Sequence, residues 1–324
     1  MLTPLLMLLA AAPEVALLST PGDGDTTELR FQRPGAAELS PAVASFTHVK
    51  RSTVLGVLLP GTRTVVAVAQ TKDARDPSWA CSLVRLEPGK PAVTLADRVA
   101  VSTRPLVTRD GRVFVQRGRE GPNRVDAITI DEIDPRTGAA RTVHAFEGYT
   151  AFLAGAFEGE LLVYRVGPGG ADLVAVHRDA LGVRPLTRLQ PMARDFASDG
   201  RALFFTTADA EGWLVARVDL RTGALTTAAR STHVAALPTL LDGRLATSPG
   251  PAEGLRFAAD GTLALLPNGP GFEHVLHAVR GLAFVLHEVP SSFPHAYAVE
   301  LKTGRALPLA APKDVRLDLA GVVE

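Results

Sequence analysis

The sequence lacks, or has few of, several features that would indicate a particular function. One cysteine, Cys81, excludes an internal disulfide. Equal numbers of basic and acidic residues, 34 of each, leave no general attraction to nucleic acid or to an anionic membrane. Aromatic residues make up only 6% of the chain, which argues against an aromatic platform for carbohydrates. No apolar stretch is long enough to form a transmembrane helix.

Motifs that carry a reaction mechanism are also missing. The chain has no G-x-S-x-G, H-E-x-x-H, C-x-x-C or G-x-x-x-x-G-K-[ST] pattern. The stretch 167–170 is rich in glycine, but it lacks dinucleotide spacing and joins two strand-like runs, which predicts a hairpin. Cys81 begins an apolar run, where a buried and inert thiol is expected. The sequence therefore identifies no catalytic residue, no cofactor and no metal ligand.

What the sequence does contain is a repeat. A turn glycine followed by a short apolar run recurs at intervals of 38 to 50 residues, at Gly61, Gly111, Gly159, Gly200, Gly243 and Gly281. A second turn signal runs in phase with the first, at Asp134–Gly138, Asp219–Gly223 and Glu300–Gly304, with looser versions at Gly89, Gly182 and Asp260-Gly261. The acidic residue of such a turn can accept a hydrogen bond from the backbone two residues on, so its expected role is structural.

The runs between these turns are four to eight residues long and rich in Val, Leu and Phe, which is typical of strands. Several, such as Leu203-Phe204-Phe205, are apolar at consecutive positions, which indicates burial on both faces. Units of this length with about four strands each are typical of propellers. We therefore predict an all-β protein, a β-propeller of six four-stranded blades; a β-sandwich is the alternative.

One unit resembles a known family. The stretch 193–205, which contains Asp199-Gly200, followed by Val218–Gly223, is similar to the blade motif of TolB-type propellers, although Ser198 stands where that motif has proline. The similarity is partial around 102–143 and 275–310. The resemblance implies a propeller fold. It carries little about function, because such propellers occur in envelope scaffolds and in peptidases.

The two ends of the chain suggest export and ring closure. Residues 1–12 resemble the apolar core of a signal peptide, with Ala10–Ala12 as a cleavage site. We predict a signal peptide at 1–18, an extension at 19–41 and the propeller at 42–324. The extension contains a possible strand, Glu28–Gln32, and the stretch Val315–Leu319 alternates well. We expect one end to complete a blade formed by the other, which removes exposed sheet edges.

Three clusters of polar residues are candidates for a metal-binding or catalytic site. Four of the eight histidines fall in the last unit, at His274, His277, His287 and His295. Strand alternation would place the first two on opposite faces, whereas the last two flank a hairpin loop and could approach each other. The motif Asp23-Gly24-Asp25 is expected to be a flexible linker, and the acidic run 131–134 a solvated strand end.

These observations predict an exported, non-enzymatic propeller that is periplasmic or secreted, monomeric on its own, and acts as a protein-binding or scaffold component of the cell envelope. No nucleic acid and no membrane span is expected, and the protein partner is not identified. The alternative is a hydrolase or lyase with its site at the mouth of the central channel, where single residues from several blades can meet without a local motif. A third hypothesis is that the protein is a sensor or a carbohydrate-binding module.

Overall fold

The structure is a computed structural model of the whole chain. It describes residues 13–71, 77–120, 125–148, 150–190, 192–231, 237–241, 243–248, 255–257, 263–264, 272–288, 293, 295–309 and 314–323. Apart from a single 3-10 turn at Pro77–Trp79, the regular structure of these residues is entirely β. The predicted all-β class is therefore confirmed.

Antiparallel strands form consecutive sets of four, which we call blades 1 to 7. Blade 1 has the order β28-β1-β2-β3, with β1 (Glu14–Pro21), β2 (Thr26–Gln32), β3 (Ala44–Thr47) and β28 (Val315–Val323). Blades 2 and 3 are joined into one eight-stranded sheet through the single pair Val99 and Arg117. Blade 2 consists of β4 (Leu55–Leu58), β5 (Val65–Gln70), β6 (Cys81–Leu86) and β7 (Val93–Val99). Blade 3 consists of β8 (Leu106–Val107), β9 (Val113–Glu120), β10 (Val125–Ile133) and β11 (Ala140–Glu147).

The remaining four sheets follow the chain in order. Blade 4 consists of β12 (Thr150–Phe157), β13 (Glu160–Gly167), β14 (Gly170–His177) and β15 (Val183–Leu189). Blade 5 consists of β16 (Arg194–Ser198), β17 (Ala202–Asp209), β18 (Gly212–Asp219) and β19 (Leu225–Ser231). Blade 6 consists of β20 (Leu237–Leu241), β21 (Arg244–Ser248), β22 (Leu255–Phe257) and β23 (Leu263–Ala264). Blade 7 consists of β24 (Phe272–Val279), β25 (Leu282–Glu288), β26 (His295–Glu300) and β27 (Ala306–Pro308).

Apolar cores lie between the blades and join them into a ring. The described residues form seven buried clusters, and each cluster joins one neighbouring pair of blades. The cluster between blades 7 and 1 contains Phe284 from one and Leu17 and Leu319 from the other. Each blade is thus covered on both faces, which explains why its strands are apolar at consecutive positions. This is a propeller-like arrangement.

The predicted count of six blades is wrong, because one blade is built from both ends of the chain. Strand β28 pairs with β1 along the whole length of β1, from Glu14 with Val323 to Pro21 with Val315. Every other blade begins with an inner hairpin, and the six turn glycines seen in the sequence belong to those hairpins. Blade 1 has no such hairpin, because its inner strand is the last in the chain. The glycine count therefore misses it.

The pairing of β28 with β1 can be compared with the segment boundaries predicted near the N-terminus. The proposed boundary at residue 18 falls inside β1, whose Leu17 and Leu18 are buried. A cut directly after Ala12 would leave this strand whole. The segment predicted as an extension, 19–41, supplies the end of β1 and all of β2. Residues 1–12 and the turn Asp260-Gly261 lie outside the described residues.

The turn chemistry matches the prediction. Asp134 Oδ1 accepts a hydrogen bond from the Arg136 backbone N–H at 2.7 Å, and Asp219 Oδ1 accepts one from the Arg221 N–H at 3.1 Å. The hydrogen bond from Arg136 is the largest cause of the lowered pKa of Asp134. The residues 167–170 also form the predicted hairpin, with Gly167 opposite Gly170.

The predictions for two of the polar clusters are wrong, one about exposure and the other about the kind of segment. Asp131 is only 3% exposed rather than solvated, and Arg117 Nη1 binds its Oδ2 at 2.8 Å. Asp23-Gly24-Asp25 is not a linker, because it forms the turn between β1 and β2, where Asp23 is paired with Arg51. Alternation within one strand cannot reveal that an arginine on the neighbouring strand compensates a buried carboxylate.

Candidate functional site: the mouth of the central channel

The inner strands of the blades surround a cavity of about 970 Å³. It opens on the side of the ring where the chain passes from the outer strand of one blade to the inner strand of the next; we call this side the mouth face. The opposite side, which carries the glycine turns, is the turn face. The lining comes from the beginnings of inner strands and the connections before them, chiefly residues 52–55, 102–106, 152–155, 193–196, 238–239 and 316–318. This size is within the range of binding sites for small ligands.

Bulges shape the inner strands near this cavity. The register shifts between Leu153 and Gly155 in β12, between Arg194 and Ala197 in β16, and between Val275 and His277 in β24. A further shift occurs in the pairing of β28 with β1. A bulge bends its strand and re-aims the side chains beside it. Simple strand alternation therefore does not predict which side chains line the channel.

An ion pair crosses the inner wall between three blades. Asp318 on β28 is 5% exposed, and it accepts hydrogen bonds from the Gly56 N–H at 2.8 Å and from Arg104 Nη2 at 2.5 Å. Arg104, in the connection before β8, also donates to the Gly56 carbonyl. Blades 1, 2 and 3 are thus tied together by one carboxylate and one guanidinium.

The closure beside this pair is tightly packed around two glycines. A Cβ at Gly56 would lie 2.5 Å from Leu18 Cδ1, and a Cβ at Gly321 would lie 2.5 Å from Leu58 Cβ. Both distances are far shorter than van der Waals contact. At Gly321, strands β28 and β4 therefore approach too closely for a side chain, whereas a side chain at Gly56 would require the end of Leu18 to move.

A histidine lies close to the same pair. His277 on β24 is partly buried, and its Nε2 lies 3.2 Å from the Leu319 carbonyl, so that this nitrogen is the donor. Burial lowers the pKa of His277, and the charge of Arg104 lowers it further, whereas the hydrogen bond to Leu319 and the charge of Asp318 act in the opposite direction. The imidazole is therefore held in its neutral form.

Arg316, near the start of β28, is a second cation in the wall. Its Nη1 donates to the Ser52 carbonyl at 3.2 Å. Its Nε and Nη2 are buried and have no hydrogen-bond partner among the described residues. Within the same described residues, no carboxylate lies within ion-pair distance of Arg316. By contrast, Arg104 is paired with Asp318, and Arg194 is paired with Asp195.

The opposite part of the wall is apolar and aromatic. Phe152 is 39% exposed in the cavity and stacks on Tyr164, with ring centroids 6.1 Å apart. Tyr164 in turn contacts Phe196, another lining residue, at 5.9 Å. Val101 and Met192, in the connections on the mouth face, are also 42% and 40% exposed. Exposed apolar groups of this kind around a cavity are typical of binding surfaces.

A buried chain of hydroxyl groups runs from the cavity into blade 1. Thr20, a lining residue, lies 2.6 Å from the Thr27 hydroxyl, and Thr27 lies 2.8 Å from His48 Nε2. His48 Nδ1 lies 2.8 Å from the Val49 carbonyl, which can only accept, so Nε2 must accept from Thr27. Burial lowers the pKa of His48, which favours this neutral tautomer.

The structure separates the histidines that the sequence grouped together. His287 and His295 stand opposite each other on β25 and β26, as predicted, but not in the channel lining. The prediction for His274 and His277 relied on alternation, which the bulge in β24 invalidates. The side chain of His274 lies outside the described residues. In the described part of the chain, no three His, Cys, Asp or Glu residues come close enough to hold a metal ion.

Sequence reasoning missed the residues that define the cavity: Arg104, Arg316, Asp318, Phe152 and Phe196. No local motif marks them as a site, because they come from four separate places in the chain: the connection before β8, strands β12 and β16, and β28, which carries both Arg316 and Asp318. The one available signal was the alternation of the last strand, which predicted that it pairs in the ring.

Comparison with known proteins shows the fold alone. No protein-family model matches the chain, and no curated protein matches its sequence. Among solved structures, a prolyl endopeptidase superimposes with a TM-score of 0.61 at 13% identity, covering 94% of this chain and 50% of that one. TolB from Acinetobacter baumannii gives a TM-score of 0.51 at 12% identity, covering 95% of this chain and 66% of that one.

A puromycin-hydrolyzing peptidase from Mycobacterium tuberculosis is also similar, with a TM-score of 0.56 at 18% identity. The superposition covers 54% of that peptidase and 91% of this chain. The chain thus spans between half and just under two thirds of these neighbours. Peptidases and TolB share the propeller fold, so the similarity does not distinguish an enzymatic from a non-enzymatic role.

Proposed function

We propose that this protein is a TolB-type propeller that is exported to the periplasm or secreted, and that it acts without catalysis as a protein-binding or scaffold component of the cell envelope. The observation that carries this proposal is the mouth-face cavity, in which an exposed aromatic wall built around Phe152 faces the cationic group Arg316. Such a surface offers both an apolar anchor and a charge for orientation, which is a common design for protein recognition.

The closed ring supports this role. Blade 1 joins the two ends of the chain, so the mouth face is held on a rigid frame. The described residues contain no helix that is long and apolar enough to cross a membrane.

The test is affinity capture of the tagged full chain from the envelope and soluble fractions of its host. The wild-type protein is compared with Phe152→Glu, which places a charge in the mouth, and with Leu181→Glu. Leu181 is 98% exposed on the turn face and serves as the matched control. We expect a stoichiometric protein partner with the wild type and with the control, and its loss with Phe152→Glu. Equal capture by all three proteins would contradict the proposal.

A hydrolase or lyase is the second candidate. It is favoured by the neutral His277, which shares the inner wall of the ring with Asp318 and Arg104, and by the peptidase neighbours. His277 is not among the residues that line the cavity, but a neutral imidazole that comes within hydrogen-bond reach of a substrate can serve as a general base. Turnover of peptide or ester substrates that is abolished by His277→Gln, with the fold retained, would favour this candidate.

A further inference from the structure

The charges that line the cavity do not balance. Among the described lining residues, Arg104, Arg194 and Arg316 oppose only Asp195 and Asp318. The first two arginines are neutralised by the two carboxylates. Arg194 also lies over the Trp213 ring at 5.3 Å, which fixes its position further. One positive charge, that of Arg316, is left without a counter-ion in the wall.

The hydrogen bonding of Arg316 is incomplete in the same way. A guanidinium has five N–H donors, and burial without an acceptor costs free energy for each of them. The described structure provides Arg316 with one acceptor, the Ser52 carbonyl at 3.2 Å. Its Nε and Nη2 lack any. These two nitrogens form the edge of the guanidinium that can bind both oxygens of a carboxylate.

We propose that the cavity binds a carboxylate that carries an adjacent apolar or aromatic group, with the carboxylate on Arg316 and the apolar group against Phe152 and Phe196. This inference rests on the proposed binding role of the mouth face and specifies the chemistry that it recognises. Nε and Nη2 are buried in the present rotamer of Arg316. A change of side-chain rotamer, at the loss of the 3.2 Å hydrogen bond to Ser52, brings them to the ligand.

Carboxylate is favoured over a divalent phosphate by the local charge. Asp318 lies two residues along the strand, and Asp195 is also in the lining, so a second negative charge would meet repulsion. A single anionic charge matches the single unpaired cation. The Phe152 and Tyr164 stack supplies a flat apolar surface for the attached group.

The test is isothermal titration of the full-length protein at pH 7 with N-acetyl-L-phenylalanine and with its neutral amide. We expect the acid to bind at least tenfold more tightly than the amide. Arg316→Gln should abolish this preference and leave the affinity for the amide unchanged, which also shows that the variant is folded. Arg221→Gln, an equal change of charge on the turn face, should leave both affinities as they are in the wild type.

A second pair of probes, a penta-alanyl-phenylalanine peptide with a free or an amidated C-terminus, distinguishes the source of the carboxylate. Tighter binding of the free peptide than of the small acid indicates the C-terminus of a protein, and the reverse indicates a small molecule; either result supports the proposal. Equal binding of acid and amide, binding of neither, or a preference that survives Arg316→Gln would overturn it. A partner captured through the mouth in spite of such a result would leave the proposed function standing and reject only this inference.

Discussion

Removal of the Asp318 carboxylate should weaken the ring at its closure. In Asp318→Ala, the buried N–H of Gly56 loses its acceptor, and Arg104 loses its counter-ion. A buried unpaired N–H costs about 1–3 kcal/mol. Breaking a fully buried ion pair costs about 3–5 kcal/mol, but the Arg104 side chain is 32% exposed and regains some hydration. We therefore expect the free energy of unfolding to fall by about 3 kcal/mol.

The assay is urea unfolding followed by the fluorescence of Trp79 and Trp213, with circular dichroism as a second probe to test whether the transition is two-state. Glu158→Ala is the matched control, because it also removes a carboxylate paired with an arginine, Arg221, at an exposed site. The control should lose less than about 0.5 kcal/mol. If Asp318→Ala lost no more than the control, the carboxylate would not secure the ring as described.

Further predictions concern the thiol, the pH response and the last strand. Burial raises the pKa of Cys81 to about 11, so at pH 8 only about a thousandth of the thiol is ionised. We therefore expect iodoacetamide to alkylate Cys81 at least ~100-fold more slowly in the folded protein than in urea. Equal rates would contradict the burial of this thiol. Because the folded pKa of His277 is lowered, the unfolded chain binds its proton first, so stability should fall as the pH decreases below about 6.5, by up to about 1.4 kcal/mol per pH unit. Burial also lowers the pKa values of His48 and His144, so His277→Gln should reduce this slope between pH 7 and 5 in urea titrations without removing it, and an unchanged slope would exclude a contribution from His277. Truncation before Val315 removes β28 and exposes the edge of β1; light scattering should then show association, and a truncated monomer that melts at the wild-type temperature would be inconsistent with ring closure through this strand.

The repeat could be predicted from the sequence because turn chemistry is local. A glycine at positive φ, such as Gly138 at 77°, or an aspartate that binds the next backbone amides leaves a signal within five residues. The strands between these turns follow from their apolar runs. The blade count could not be obtained in this way. In blade 1, Glu14–Pro21 pairs with Val315–Val323, and no turn connects these two strands, so the pairing leaves no local signal in the sequence.

The cavity was not predictable for a related reason. Arg104 and Asp318 are more than 200 residues apart, and they meet only because the ring closes. The direction in which His277 points depends on a bulge, which a period-two pattern cannot reveal. Likewise, Asp131 reads as part of an acidic, solvated run until Arg117 on the neighbouring strand is placed beside it.

The most direct test of the central claim, that the mouth face is the binding surface, is site-specific photo-crosslinking in the native host. A benzoylphenylalanine replaces Phe152, which is exposed in the mouth, or Leu181, which is exposed on the turn face. We expect a discrete adduct with one protein from position 152 and none from position 181. An adduct from position 181 alone, or no adduct from either position, would contradict it.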